Sequence, residues 1–143
     1  MVRLDYKLVA AVVAPLLVWP WIPAWQGGYG EAGLGSALVL FVAISVIEEI
    51  LFRGFLQGGL LRRDGFKKIM LGFSRANWLT SLVFAAAHLW QHPLMLIPGY
   101  FAVSLVFGYF RECYRGILVP VLLHSYYNLG LLLLGATMLT ASG

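Results

Sequence analysis

Apolar residues fall in five blocks along this chain, separated by short polar or glycine- and proline-containing segments. The first runs from Leu8 to Trp25, with Pro15, Pro20 and Pro23 placed to bend or end it. The second and longest covers Leu34 to Leu61, and its later part is loosened by Gly54, Gly58 and Gly59. Asn77 to Trp90 forms a third, short block, after which His92-Pro93 breaks the chain, because a residue before proline is pushed out of helical geometry. Leu94 to Phe110 is the fourth, interrupted at Pro98-Gly99, and Ile117 to Leu139 the fifth, with Pro120 in its first turn, where proline is tolerated. Block lengths near the roughly 20 residues of a membrane span predict helices that cross a bilayer. The third, at about 15 residues, is short for that role.

Composition turns that pattern into a fold class. The 143 residues suit one domain, 1–143, and 61% of them are hydrophobic while only 11% are charged. A soluble domain carries roughly 25% charged residues, and one of this size could not hide so much apolar surface. The expected fold is all-α, a polytopic transmembrane helix bundle of about five membrane segments. The net charge of +4 does not indicate nucleic acid as a partner, because the basic residues cluster in short inter-helix segments where they meet lipid headgroups. Arg3 and Lys7, then Arg62 to Arg75, then Arg111 with Arg115 all fall on one side of a five-span topology. By the positive-inside rule the N-terminus is cytoplasmic. The N-terminal block lacks a small-x-small cleavage site, and Trp19, Trp21 and Trp25 suit an interfacial anchor, so it reads as a retained helix rather than a signal peptide. A single cysteine, Cys113, rules out an intrachain disulfide.

Within the apolar blocks stand a few ionisable residues, which at bilayer depth mark function by default. Glu48, Glu49 and Arg53 interrupt the second block. Glu49 and Arg53 are four apart and share a helix face, so they can neutralise each other; Arg53 could also meet a substrate carboxylate. Glu48 points about 100° away from that pair, toward whatever polar groups other segments supply. Three candidates are available. His88 closes Phe84-Ala85-Ala86-Ala87-His88, whose alanines permit close helix approach. His124 and Asn128 share one face of the fifth block. Counted from the basic flanks at 1.5 Å per residue, Glu48 lies roughly 21 Å deep, His88 roughly 20 Å and His124 roughly 14 Å, one layer within the membrane. Each of these features alone is equally well a packing or hydrogen-bonding residue; together at one depth they suggest a site. His92, beside Pro93, reads as an interfacial residue.

Glu48-Glu49-x-x-x-Arg53, Phe84-x-x-x-His88 and His124-x-x-x-Asn128 resemble, in residue type, spacing and order, the motif set of the CPBP (Abi) family of CAAX-type proteases and bacteriocin-processing proteins. The resemblance implies a metal-independent glutamic intramembrane endopeptidase, with a protein or peptide substrate at the membrane and no cofactor. It implies that Glu48 deprotonates a water held by His88, that His124 and Asn128 form an oxyanion hole, and that Glu49 and Arg53 support the site. The motifs span Glu48 to Asn128, and the chain has little beyond the helices that bear them. That small size suggests a prokaryotic cell membrane and a substrate that is not prenylated. Two other readings of the same residues stand beside this one. Glu48, His88 and His124 could be ligands of a catalytic zinc, two His and one Glu being a known set, although no His-Glu-x-x-His is present. The chain could instead be a non-catalytic membrane partner, such as an immunity protein that binds a peptide toxin. Cys113 as nucleophile lies in a charged turn far along the chain from any His, and five short spans without a repeat offer little for a transporter.

Overall fold

The computed structural model describes residues 5–18, 33–90 and 92–141. The expected Trp19, Trp21 and Trp25 anchor, the turn bearing Glu31, and Arg3 lie outside the described residues. The described residues are mostly helical, with one small hairpin and short connecting turns. In order come α1 (Tyr6–Val18), α2 (Gly33–Glu49), a π-helix (Ile50–Gln57), α3 (Gly58–Leu60), α4 (Asp64–Lys67), strands β1 (Ile69–Met70) and β2 (Phe73–Ser74), α5 (Arg75–His88), a 3₁₀ turn (Leu94–Leu96), α6 (Ile97–Cys113) and α7 (Leu118–Ala141). Each of the five apolar blocks contains one of the main helices. Among the described residues, two continuous helical stretches, Gly35–Leu60 and Leu94–Cys113, are long and apolar enough to cross a membrane, while Tyr6–Leu17 and Leu118–Leu133 are shorter apolar helices.

Two local outcomes differ from the sequence pattern. Pro98 does not interrupt the fourth block; it sits in the first turn of α6, where its missing N–H costs nothing and its fixed φ favours the helix. The charged stretch between the second and third blocks folds into an antiparallel hairpin pairing Ile69 with Ser74 and Met70 with Phe73. Its two-residue turn puts both Leu71 (φ 50) and Gly72 (φ 86) in the left-handed region, as a hairpin turn that follows the strand twist requires. The Trp78 indole N–H donates to the Met70 carbonyl at 2.8 Å and ties the hairpin to α5.

The chain forms two compact units, 1–46 with 122–143, and 47–121. In the second, α5 and α6 pack most extensively on each other. Ser74 caps α5, accepting the Asn77 N–H at 3.0 Å, the usual remedy for an orphan donor at a helix start. Asn77 then donates through Nδ2 to the Leu105 carbonyl of α6 at 2.9 Å and accepts from the Ser81 hydroxyl at 3.1 Å. This close approach depends on Gly108, where an added Cβ would stand 2.0 Å from Asn77 Oδ1. In the first unit Tyr126 and Tyr127 of α7 donate to the Val12 and Ala11 carbonyls of α1, at 3.0 and 2.7 Å.

Beside an apolar core that includes Phe84, Leu105, Phe107 and Phe110, many polar residues are buried and many large apolar ones exposed. The buried set includes Ser45, Glu49, Arg53, Gln57, Ser74, Asn77, Thr80, Ser81, Ser104 and His124, whereas Leu40, Leu51, Phe55, Leu82 and Leu118 are exposed. Polar groups that satisfy one another inside and apolar groups outside are what a hydrocarbon solvent selects.

Candidate active site

The second unit is organised along one face of the π-helix. Glu49, Arg53 and Gln57 recur every four residues and are all buried. Their partners recur at the same interval on α6. Arg53 Nη2 donates to the Ser104 hydroxyl at 2.8 Å and to the Ser104 carbonyl at 3.0 Å. Gln57 Nε2 donates to the Gly108 carbonyl at 3.1 Å and to Glu112 Oε1 at 2.7 Å. The Ser74 hydroxyl donates to the same Glu112 oxygen at 2.6 Å, so the ladder ends on the hairpin. Because partner numbers rise together, the π-helix and α6 run parallel. The Arg53 carbonyl accepts the Gly58 N–H, five residues on, and also Arg111 Nε at 3.1 Å. A π turn is rare and costly, and recurs at functional sites; here it sits directly after the paired glutamates.

Glu49 and Arg53 form the expected pair, Nε to Oε2 at 3.2 Å, with both side chains 0% exposed. The contact is an ion pair rather than an aligned hydrogen bond, since neither atom meets hydrogen-bond geometry. The guanidinium carbon also lies 4.9 Å from the Phe84 ring centroid and 5.6 Å from that of Phe107, within cation–π range. Enclosed in this way, Arg53 presents no surface to a substrate carboxylate.

Glu48 itself is half-buried. Its carboxylate lies within electrostatic reach of the Arg53 guanidinium and of the Tyr100 phenol on α6. His88 ends α5, and its Nδ1 lies 2.8 Å from the Phe84 carbonyl oxygen. A carbonyl can only accept, so Nδ1 carries the proton, and in the neutral ring Nε2 is the lone-pair nitrogen. The His88 ring stands 4.4 Å from both Phe84 and Tyr100, tilted by 36° and 25°. His92, in the turn after α5, stacks its ring 5.7 Å from His88 and lies, tilted, 4.8 Å from Tyr100, and its backbone N–H bonds the His88 carbonyl at 3.0 Å. Partial burial, and then the neighbouring His88, hold the His92 imidazole below its ordinary pKa.

His124 and Asn128 belong to the other unit, one turn apart on α7, His124 buried and Asn128 half-buried. Asn128 Nδ2 donates to the Ser45 hydroxyl at 3.0 Å, and Ser45 in turn donates to the Phe41 carbonyl at 2.9 Å. The chain of donors fixes which end of the amide is Nδ2 and leaves its second N–H to point elsewhere. Within their own units, then, Glu48 lies within electrostatic reach of Tyr100, whose ring in turn stacks on His88, and Asn128 is anchored through Ser45. Among the described residues, no three His, Cys, Asp or Glu side chains are grouped as metal ligands would be.

Residues the sequence pattern did not single out are Gln57, Ser104, Glu112, Tyr100 and the stacking role of His92. Gln57, Ser104 and Glu112 do carry a signal in retrospect, the four-residue recurrence 49, 53, 57 opposite 104, 108, 112.

A family model described as type II CAAX prenyl endopeptidase Rce1-like covers residues 31–130. No curated protein and no solved structure matches the chain. The matched region is well over half of the 143 residues and contains all three polar motifs. On that ground the chain belongs to the Rce1-like type II CAAX prenyl endopeptidase family, consistent with the CPBP resemblance, and is an integral membrane protease.

Proposed function

We propose that the protein is a glutamic intramembrane endopeptidase in which Glu48 is the general base, His88 holds and polarises the attacking water, and His124 and Asn128 donate to the oxyanion of the scissile carbonyl. The observation that carries this reading is the His88 hydrogen bond to the Phe84 carbonyl. It fixes the tautomer in which Nε2 is an acceptor, the form needed to orient a water toward a nearby carboxylate. When the water attacks, its proton passes to Glu48, and the negative charge gathers on the former carbonyl oxygen. The proton then goes from Glu48 to the departing amine. Donors at an oxyanion are worth about 3–4 kcal/mol each when removed singly, and an imidazole and an amide one turn apart on α7 suit that task.

Glu49, Arg53 and Ser104 support the site by fixing the π-helical segment next to Glu48. The reading treats 1–143 as one protease core, uses no metal, places the N-terminus in the cytoplasm of a prokaryotic cell, and gives the chain about five membrane segments. The substrate is a membrane-associated protein or peptide.

A chelator separates this mechanism from a zinc enzyme using the same residues. The purified protein in nanodiscs is incubated with solubilised host membrane proteins, with and without 1,10-phenanthroline, and new termini are scored. Cleavages that persist in chelator and vanish in Glu48→Gln support the glutamic mechanism. Cleavages lost to chelator and restored by added zinc transfer the residues to the metal mechanism.

A further inference from the structure

His88 is the last residue of α5, a position where a side chain is normally free to rotate out beyond the helix end. Here three features hold it. Nδ1 bonds the Phe84 carbonyl, the His92 N–H bonds the His88 carbonyl, and the Tyr100 ring lies almost parallel to the imidazole at 4.4 Å. The first two are local to α5 and the turn that follows it. Tyr100 is different: it comes from α6, across the 3₁₀ turn, and also touches His92 at 4.8 Å. It is half-buried, and Glu48 lies within its electrostatic reach. It therefore relates the His88 ring to the neighbourhood of the Glu48 carboxylate.

We propose that Tyr100 is a positioning residue of the catalytic site, its ring face holding the His88 imidazole in the Nδ1–H tautomer with Nε2 aimed as the water acceptor. The inference rests on the assignment of His88 above. A hydrogen bond to a helix carbonyl at a helix end competes with rotation of χ1 and with the alternative Nε2–H tautomer, which histidine favours in water. An aromatic face from a second helix opposes both freedoms, because rotating the imidazole out would forfeit the stack. Orientation errors at a reacting group cost far more in rate than in stability, about a hundredfold for a displacement of 1 Å. The phenol oxygen is not required by this role. The ring is.

The test reads the tautomer directly. The chain has three histidines, so ¹⁵N-histidine labelling in micelles gives three imidazole spin systems, assigned with His92→Gln and His124→Gln. At a pH where His88 is neutral, wild type and Tyr100→Phe are expected to show Nδ1 protonated and Nε2 bare. Tyr100→Leu should move His88 toward the Nε2–H form; Tyr100→Met is the second non-aromatic variant if Tyr100→Leu does not fold. Cleavage of host membrane proteins should fall about ten- to hundredfold in the non-aromatic variants and stay near wild type in Tyr100→Phe. An unchanged His88 tautomer in folded Tyr100→Leu or Tyr100→Met overturns the proposal, and so does its loss in Tyr100→Phe. Failure of the protease reading would look different: Glu48→Gln would cleave as wild type does while the tautomer pattern still followed residue 100.

Discussion

Arg53 and Ser104, 51 residues apart in sequence, meet twice through one guanidinium nitrogen, at 2.8 Å to the hydroxyl and 3.0 Å to the carbonyl. This joins the motif that carries the paired glutamates to the middle of α6. A buried arginine beside a buried glutamate is a liability unless its donors are met, because stripping one partner leaves an uncompensated charge.

Removing the charge should therefore cost more than removing the hydroxyl. Arg53→Met is expected to destabilise the fold by about 3–5 kcal/mol, since Glu49 is left buried without its cation. Ser104→Ala should cost about 1.5–3 kcal/mol, the range for a hydrogen bond to a charged group. The double variant Glu49→Gln/Arg53→Met should recover part of the loss of Arg53→Met. Thermal unfolding in micelles checks the order. Arg53→Lys should not rescue, because an ammonium cannot reproduce the fork that reaches Glu49 and Ser104 together.

Gly108 is expected to be the least replaceable glycine among those described. An added Cβ would stand 2.0 Å from Asn77 Oδ1 and 2.5 Å from its Cγ, whereas Gly65 and Gly99 have open space around theirs. Gly108→Ala must separate α5 from α6 or expel the Asn77 amide from its bond to Leu105, a strain of about 1–3 kcal/mol or more. Gly65→Ala should leave the melting temperature close to wild type. Adding Asn77→Ala to Gly108→Ala should relieve the clash, a non-additivity that a double-mutant cycle would register.

His92 gives the fold an acid-sensitive point in the turn after α5. Its folded pKa lies below the ordinary 6.5, first because of burial and second because of His88. The unfolded chain therefore binds the proton more readily, and stability rises with pH through the window between the depressed value and 6.5. Acidification below about 6.5 should lower the melting temperature of wild type. His92→Phe keeps an aromatic face against Tyr100 and cannot charge, so its melting temperature should depend less on pH in that window. Parallel pH scans of the two proteins check this.

Cys113 is exposed and lies at the end of α6, among the polar residues that follow. Cys113→Ser is expected to keep full proteolytic activity, and alkylation of wild type should not inhibit it. Loss of activity in either would bring a thiol into the chemistry.

How much of this was legible in the sequence differs by element. Each apolar block contains a helix, because long runs of apolar residues have no cheaper way to satisfy their backbone than helical bonding. The Glu49–Arg53 pair was legible from spacing alone. The π-helix was not: a four-residue recurrence of polar groups fits an α-helix equally well. The hairpin at Ile69–Ser74 was hidden in a stretch read only for its charge, although Gly72 carries a turn signal. Tyr100 was not singled out, and His92 was read by local context alone, as an interfacial residue beside Pro93. Their stacking on His88 depends on how the 3₁₀ turn folds α6 back on α5, which no periodicity encodes.

The most direct test of the central claim compares protein termini in the native membrane between wild type and a Glu48→Gln strain, with the variant's folding and abundance verified. The mechanism predicts at least one precursor that accumulates uncleaved only in the variant, which would also identify the substrate. Indistinguishable termini, with the variant present and folded, would contradict Glu48 as the catalytic base and point instead to a binding role, as in toxin immunity.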